Sequence, residues 1–327
     1  MKKIFVHCNL TNRQEAYLSK NFEIKLHNAN DQILSPELLI EKASGFDGII
    51  CQGNIISNKY IEKNENILKA ISNVSVGYDN VDINYATKKQ VAVFNTPNIL
   101  DDTVADLTIG LILAVTRKIC EGNNFVKGGK WKKNSWPLFL GEDLKGELLG
   151  IVGMGNIGKK IALRAKSFGL DIIYYNRSRL EKNIEKKYSA NYSSLERLLC
   201  RSKYVLLALP LNVKTKHLIN KRTLSIMRKD AYIINIARGK IIKEKDLVKA
   251  LDNNIIAGAA LDVFEYEPEV NKKLLTMKNT VLMPHAGSAS FTTRNAMVDL
   301  ALKNINDLFI LGKYSNLVNN DLLGNEK

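Results

Sequence analysis

No run of apolar residues in this chain approaches the roughly 20 that a membrane span requires, and the opening MKKIFVHCNL carries too short an apolar stretch for a secretory signal. Both features predict a cytoplasmic chain with no membrane partner, in which KIFVHC is a first strand. Cysteine is scarce as well: Cys8, Cys51, Cys120 and Cys200 lie far apart, with no C-x-x-C pair. That spacing argues against a disulfide framework or a metal site, so the four are expected to be core thiols and no metal is expected. Repeats and low-complexity tracts are lacking. Basic charge is not lacking, since 48 Lys and Arg against 33 Asp and Glu give a net charge of +15. What is missing is its concentration on one element with interleaved aromatics, the pattern of a nucleic-acid binder. The lysines are spread along the chain, with only short clusters such as Lys130-Trp131-Lys132-Lys133. They read as solvated faces that help to attract small anions, and no nucleic-acid partner is expected.

What is present is an ordinary globular composition, 45% hydrophobic and 25% charged over 327 residues, enough for two cores. From residue 3 onward, β-rich runs (KIFVHC, FEIKLH, DGIIC, LKAISNVS, VAVF) alternate with helical segments such as Pro36 to Lys42. The alternation predicts βαβ units and a parallel sheet. A helix is expected over Asp102 to Ile119, apolar on more than one face and so buried between layers. The following EGNNFVKGGKWKKNSWPLFLGEDLKG reads as a loop between domains or an arm packed on a partner. A second alternation then supplies six strands (LLGIV, DIIYYN, KYVLLAL, AYIINI, IIAGAALD, TVLM), the number a doubly wound dinucleotide fold requires. Phe291 to Leu311 is expected to be one long amphipathic helix.

The second alternation opens on LLGIVGMGNIGKKIALRAKSFG, with G-x-G-x-x-G at Gly153, Gly155 and Gly158. A strand precedes it and a helix follows, the context in which these glycines give a tight turn, a close approach to pyrophosphate, and helix–strand packing. A carboxylate about 20 residues further on would hold the ribose 2′-hydroxyl of NAD. This chain instead reads YYNRSRL. Asn176 cannot repel a 2′-phosphate, and Arg177 and Ser178 can pair with one, which favours NADP(H) over NAD(H). A different strand, in IINIARGK, runs apolar and stops on Arg238 and Gly239, an ending that a surface turn alone would explain.

Six motifs in order, SVGYDNVD (75–82), DDTVADLTIGLILA (101–114), VGMGNIGKKIALRAKSFG (152–169), NIARGKII (235–242), AALDVFEYEP (259–268) and MPHAGSAS (283–290), resemble those of the D-isomer-specific 2-hydroxyacid dehydrogenases over nearly the whole chain. Within that family the chain looks most like the glyoxylate/hydroxypyruvate reductases and the 2-ketogluconate reductases. The resemblance implies an α/β fold of two Rossmann-like or flavodoxin-like lobes with parallel sheets and the active site in the cleft between them. A substrate-binding lobe would comprise 1–100 and 287–327, and an NAD(P)-binding lobe 101–286. The activity implied is NAD(P)H-dependent reduction of a small 2-keto acid to the D-2-hydroxy acid, by a homodimer whose contact includes the 120–146 segment.

The resemblance assigns the catalytic arginine to Arg238, the acid to Glu267 and the histidine to His285. A guanidinium can grip a carboxylate with a two-pronged fork and polarise the neighbouring carbonyl. A histidine can donate the proton near neutral pH, and a carboxylate beside it favours the loaded form. Val76 and Gly77 would cradle the substrate carboxylate through N–H groups, while Ser288 and Trp136 would shape the substrate pocket. Val104, Asn156, Ile157, Pro210, Thr215, Ile236, Ala237 and Asp262 would line the cofactor, with Asp262 reaching the nicotinamide amide. Arg238 and His285 would face both ligands. Ala286, Ser290, Lys240 and Lys243 depart from the common pattern and bear on substrate preference rather than reaction class. A corepressor-like dinucleotide sensor shares the fold and is the main alternative, beside a D-lactate or D-3-phosphoglycerate dehydrogenase.

Overall fold

The computed structural model describes residues 1–27 and 33–326. The chain divides into two compact units, Met1–Leu100 with Ser290–Lys327, and Asp101–Ala289. The second crossing thus lies three residues beyond the 286/287 boundary expected from the sequence. Its cause is local: the N–H groups of Ala286 and Gly287 donate to the Asp262 carboxylate, which ties them to the second unit.

The first unit is built on β1 (Lys2–His7), β2 (Phe22–Leu26), β3 (Gly48–Cys51), β4 (Ala70–Asn73) and β5 (Ala92–Phe94). All pair in parallel in the order β2-β1-β3-β4-β5, the flavodoxin-like winding. Strands β3, β4 and β5 are buried along their whole length, as parallel strands covered on both faces must be. Helix starts follow the side-chain chemistry. Ser35 caps Pro36–Lys42 through the Leu38 N–H, with Pro36 at the first turn where no donor is needed. Ser290 caps Phe291–Leu311, which ends on Gly312 in the left-handed region at φ 62. One core cluster, around Phe5, Ile49, Tyr60 and Ile71, serves this unit.

The second unit holds β6 (Leu148–Val152), β7 (Asp171–Tyr175), β8 (Ala190–Tyr192), β9 (Tyr204–Leu207), β10 (Tyr232–Asn235), β11 (Gly258–Leu261) and β12 (Thr280–Leu282). Their order, β12-β11-β10-β9-β6-β7-β8, is all parallel and reverses direction between β6 and β9. That crevice is where open α/β sheets bind ligands, and β6 ends there on the glycine loop. Seven strands replace the six expected. The seventh, β8, is three residues long with two of them exposed, so it carries too little apolar pattern to be read.

The long helix runs Asp101–Thr116 and packs on the helix Asn156–Ser167 and on β10, β11 and β12, buried between layers as its apolar faces require. It stops because Lys118 adopts φ 52, and a separate helix, Ile119–Lys127, begins there. The expectation of an inter-domain loop or a partner-packing arm from residue 121 did not include that helix, none of whose residues is buried. A second correction concerns the thiols. Cys8 and Cys51 are buried, but Cys120 and Cys200 lie on exposed helix faces. Among the described residues no helix is long and apolar enough to cross a membrane.

Candidate active site

The turn from β6 into its helix is shaped by contact on one side and openness on the other. Gly153 sits at φ 107, and a Cβ there would lie 2.4 Å from the Ala208 carbonyl oxygen. A Cβ on Gly158 would meet the Gly153 carbonyl oxygen at 2.4 Å, whereas one on Gly155 would meet nothing within 4 Å. Gly155 is also the residue before the helix Asn156–Ser167, whose first N–H groups have no side-chain cap. A helix start without a side-chain cap, beside open space, is what a pyrophosphate needs. Asn156 is exposed on the first turn and Ile157 half-buried behind it.

At the end of β7, Asn176 accepts the Met154 N–H at 2.7 Å, so its side chain also holds the glycine loop. The two arginines that follow differ in circumstance. Arg179 is gripped by Glu185 through two bonds of 2.8 Å, and Glu185 takes the Tyr174 hydroxyl at 2.7 Å. Arg177 is exposed and makes no ion pair among the described residues, and Ser178 beside it is exposed too. Pro210 and Thr215 close the loop after β9, the Thr215 hydroxyl donating to the Pro210 carbonyl at 2.7 Å.

The three candidate catalytic side chains follow the ends of three adjacent strands. After β10, Ile236 and Ala237 are buried, and Asn235 fixes the chain by accepting the Ala237 N–H and donating to the Arg238 carbonyl. Gly239 follows because nothing larger fits: a Cβ would lie 1.8 Å from the Phe264 carbonyl oxygen. After β11, Glu267 turns back so that Oε1 accepts the Phe264 N–H at 2.8 Å. Its Oε2 lies 2.8 Å from Nδ1 of His285, which follows β12. His285 holds φ 51, unusual for a residue with a side chain, and its N–H donates to the Asp262 carbonyl at 2.8 Å.

Partial burial works to raise the Glu267 pKa, but the hydrogen bond and charge of His285, the Phe264 N–H and the Arg238 guanidinium outweigh it and hold the group below the usual carboxylate range. Asp262 shows the opposite balance. It is fully buried, and burial pushes its pKa up despite bonds from the Ala286 and Gly287 N–H groups at 2.7 and 2.8 Å. Those two bonds make Asp262 the anchor of the turn that carries His285. Gly287 in turn packs over Val104, its Cβ position 3.4 Å from that side chain.

Residues 109–287 fit the family model described as D-isomer specific 2-hydroxyacid dehydrogenase, NAD binding domain. The glyoxylate reductase of Pyrococcus horikoshii is 42% identical over 307 residues, covering 93% of this chain and 91% of that protein. The chain belongs to the D-isomer specific 2-hydroxyacid dehydrogenase family. Two solved structures resemble this dehydrogenase. One is a glyoxylate reductase from Paecilomyes thermophila, with TM-score 0.87 and 30% identity over 97% of this chain and 98% of that one. The other is an NADPH-dependent glyoxylate/hydroxypyruvate reductase from Sinorhizobium meliloti in complex with NADP and malonate, with TM-score 0.87 and 32% identity over 97% and 96%. The dehydrogenase is therefore an oxidoreductase acting on CH–OH groups with a nicotinamide dinucleotide, and its relatives support 2-keto acid reduction.

Of the dehydrogenase's remaining sequence-predicted residues, Val76 and Gly77 belong to the first unit and Ser288 and Trp136 to the second. Val76 and Gly77 follow β4 in the first unit, where Asn95 holds the Val76 carbonyl and Ser75 the Gly77 carbonyl. Among the described residues, neither N–H enters a backbone–backbone bond. Ser288 is half-buried at the end of the His285 turn, and Trp136 is 96% exposed. Sequence reasoning missed Asn235 and the Phe264 N–H, whose contributions are main-chain fixation with no motif of their own.

Proposed function

We propose that this dehydrogenase reduces a small 2-keto acid, with glyoxylate and hydroxypyruvate the first candidates and 2-ketogluconate the next, to the D-2-hydroxy acid, preferring NADPH to NADH. The observation that carries the reading is the His285–Glu267 pair at 2.8 Å, with the Arg238 charge acting on the same carboxylate. Bound at the glycine loop, the nicotinamide dinucleotide supplies the hydride that the carbonyl carbon receives. Glu267 holds Nδ1 of His285, so Nε2 is the nitrogen that hands its proton to the carbonyl oxygen. Arg238 pairs with the substrate carboxylate and polarises the carbonyl. In the first unit, the Val76 and Gly77 N–H groups are donors suited to a carboxylate, and in the second Ser288 shapes the pocket beside the His285 turn.

The cofactor preference rests on Arg177, an exposed guanidinium without an acidic partner among the described residues, next to Asn176 where a carboxylate would repel the 2′-phosphate. We also infer a cytoplasmic homodimer in which the 120–146 segment packs on the second copy. Val126, Trp131, Trp136 and Leu140 are all more than half exposed there, as is Ile119 just before it, an apolar set that a partner would cover. The test of the activity is initial-rate assay of glyoxylate, hydroxypyruvate and 2-ketogluconate with NADPH and with NADH. Turnover of at least one, faster with NADPH, is expected. Tight dinucleotide binding without turnover of any 2-keto acid would overturn the reading in favour of a dinucleotide sensor.

A further inference from the structure

Glu265 is a buried carboxylate to which the proposed chemistry gives no task. The residue is 8% exposed, and Oε1 lies 2.6 Å from Nε2 of His217. Oε2 accepts the Glu244 N–H at 2.9 Å, and the Glu265 N–H donates in return to Oε2 of Glu244 at 3.1 Å. A buried carboxylate is held in place only when its acceptors are filled, and here both oxygens are. His217 is equally committed. It takes the left-handed conformation at φ 52, which side chains disfavour, and its N–H donates to the Lys240 carbonyl at 2.8 Å. Through its main chain, His217 therefore grips the turn that follows Arg238. Through its ring it grips the loop that leads to Glu267. Where those two segments meet, Gly239 lies against the Phe264 carbonyl with no room for a methyl group.

We propose that His217 and Glu265 are positioning residues, a clamp that fixes the Arg238 turn against the Glu267 loop and so sets the carboxylate grip and the proton donor relative to each other. The inference rests on the roles of Arg238, Glu267 and His285 proposed above. Neither clamp residue donates a proton to substrate or pairs with it; each acts through the two segments it joins. Catalysis is sensitive to such placement, since a shift of about 1 Å can cost on the order of 100-fold in rate.

The test compares wild type with His217→Ala and His217→Gln in three measurements: NADPH affinity by fluorescence titration, steady-state kinetics, and amide hydrogen exchange over residues 238–243 and 264–267. His217→Ala is expected to keep the NADPH Kd, lose on the order of 10–100-fold in kcat/KM, and exchange faster in both segments. His217→Gln offers Glu265 a neutral donor of similar reach and is expected to recover most of the rate. Wild-type kcat/KM in His217→Ala would overturn the clamp, as would a loss that tracks NADPH affinity or that glutamine does not recover. If alanine prevents folding, His217→Asn, too short to reach Oε1, carries the same comparison. Should wild type turn over no 2-keto acid, the functional reading fails, while the exchange data still decide whether the clamp exists.

Discussion

Replacing Gly239 with alanine tests how tightly the Arg238 turn is seated. Gly239 has no left-handed backbone, so alanine is compatible with its conformation; the obstacle is space. The added methyl would start 1.8 Å from the Phe264 carbonyl oxygen and 2.5 Å from the Glu265 nitrogen, where about 3.0 Å is the least that such contacts allow. The two segments must then separate by about 1.2 Å, the gap between 1.8 and 3.0 Å. Neither atom is the end of a flexible side chain, so the strain falls on backbone that carries Arg238 on one side and Glu267 on the other. Overpacking of this kind costs about 1–3 kcal/mol. At about 2–4 °C per kcal/mol for a domain of this size, Tm should fall by about 2–12 °C. A displacement of that length should lower kcat/KM by about 100-fold. The assay is initial-rate kinetics with glyoxylate and NADPH beside a thermal melt, with Lys245→Ala, an exposed side chain on the following helix, as the control that changes neither. A Gly239→Ala enzyme with wild-type kcat/KM would refute the reasoning, whatever happened to its Tm.

His285→Gln should lower kcat by about 10²–10⁴-fold, and Arg238→Ala should lower kcat and raise the KM for keto acid, both with NADPH binding retained by titration. Asn176→Asp with Arg177→Ala should move the preference toward NADH by about 10–100-fold in the ratio of kcat/KM values; the aspartate can still accept the Met154 N–H, so the glycine loop keeps its support. Because Glu267 has its pKa depressed in the folded chain, its stabilising contribution is present above the ordinary carboxylate pKa of roughly 4.3 and lost as pH falls through the lower folded value. Melts of wild type and Glu267→Gln should therefore differ at neutral pH and converge in acid.

Much of the sheet architecture is legible because parallel strands buried on both faces need near-continuous apolar runs; β3, β9 and β11 are buried throughout, and β10 except at Tyr232. The glycine loop is legible because backbone crowding tolerates only glycine at 153 and 158. Elements that bury little escape that logic, as β8 and the helix Ile119–Lys127 do. The pairing of Glu267 with His285 could be anticipated from motif order. The bond of Asn176 to the glycine loop, and that of His217 to Glu265 across 48 positions, could not. Such bonds depend on where loops fold back, and a hydroxyl, amide or imidazole in a loop has many partners open to it until they do.

The fork between Arg179 and Glu185 has a consequence for how this enzyme's cofactor choice can drift. The bonds from Arg179 and then Tyr174 hold the Glu185 pKa down to about 2, so no ordinary change of pH releases the arginine. Only mutation can. A glutamate codon lies one base from glutamine and one from lysine, and either substitution would free a guanidinium two positions beyond Arg177. The strand end therefore carries a second guanidinium in reserve, held by one acidic neighbour and recoverable in a single genetic step.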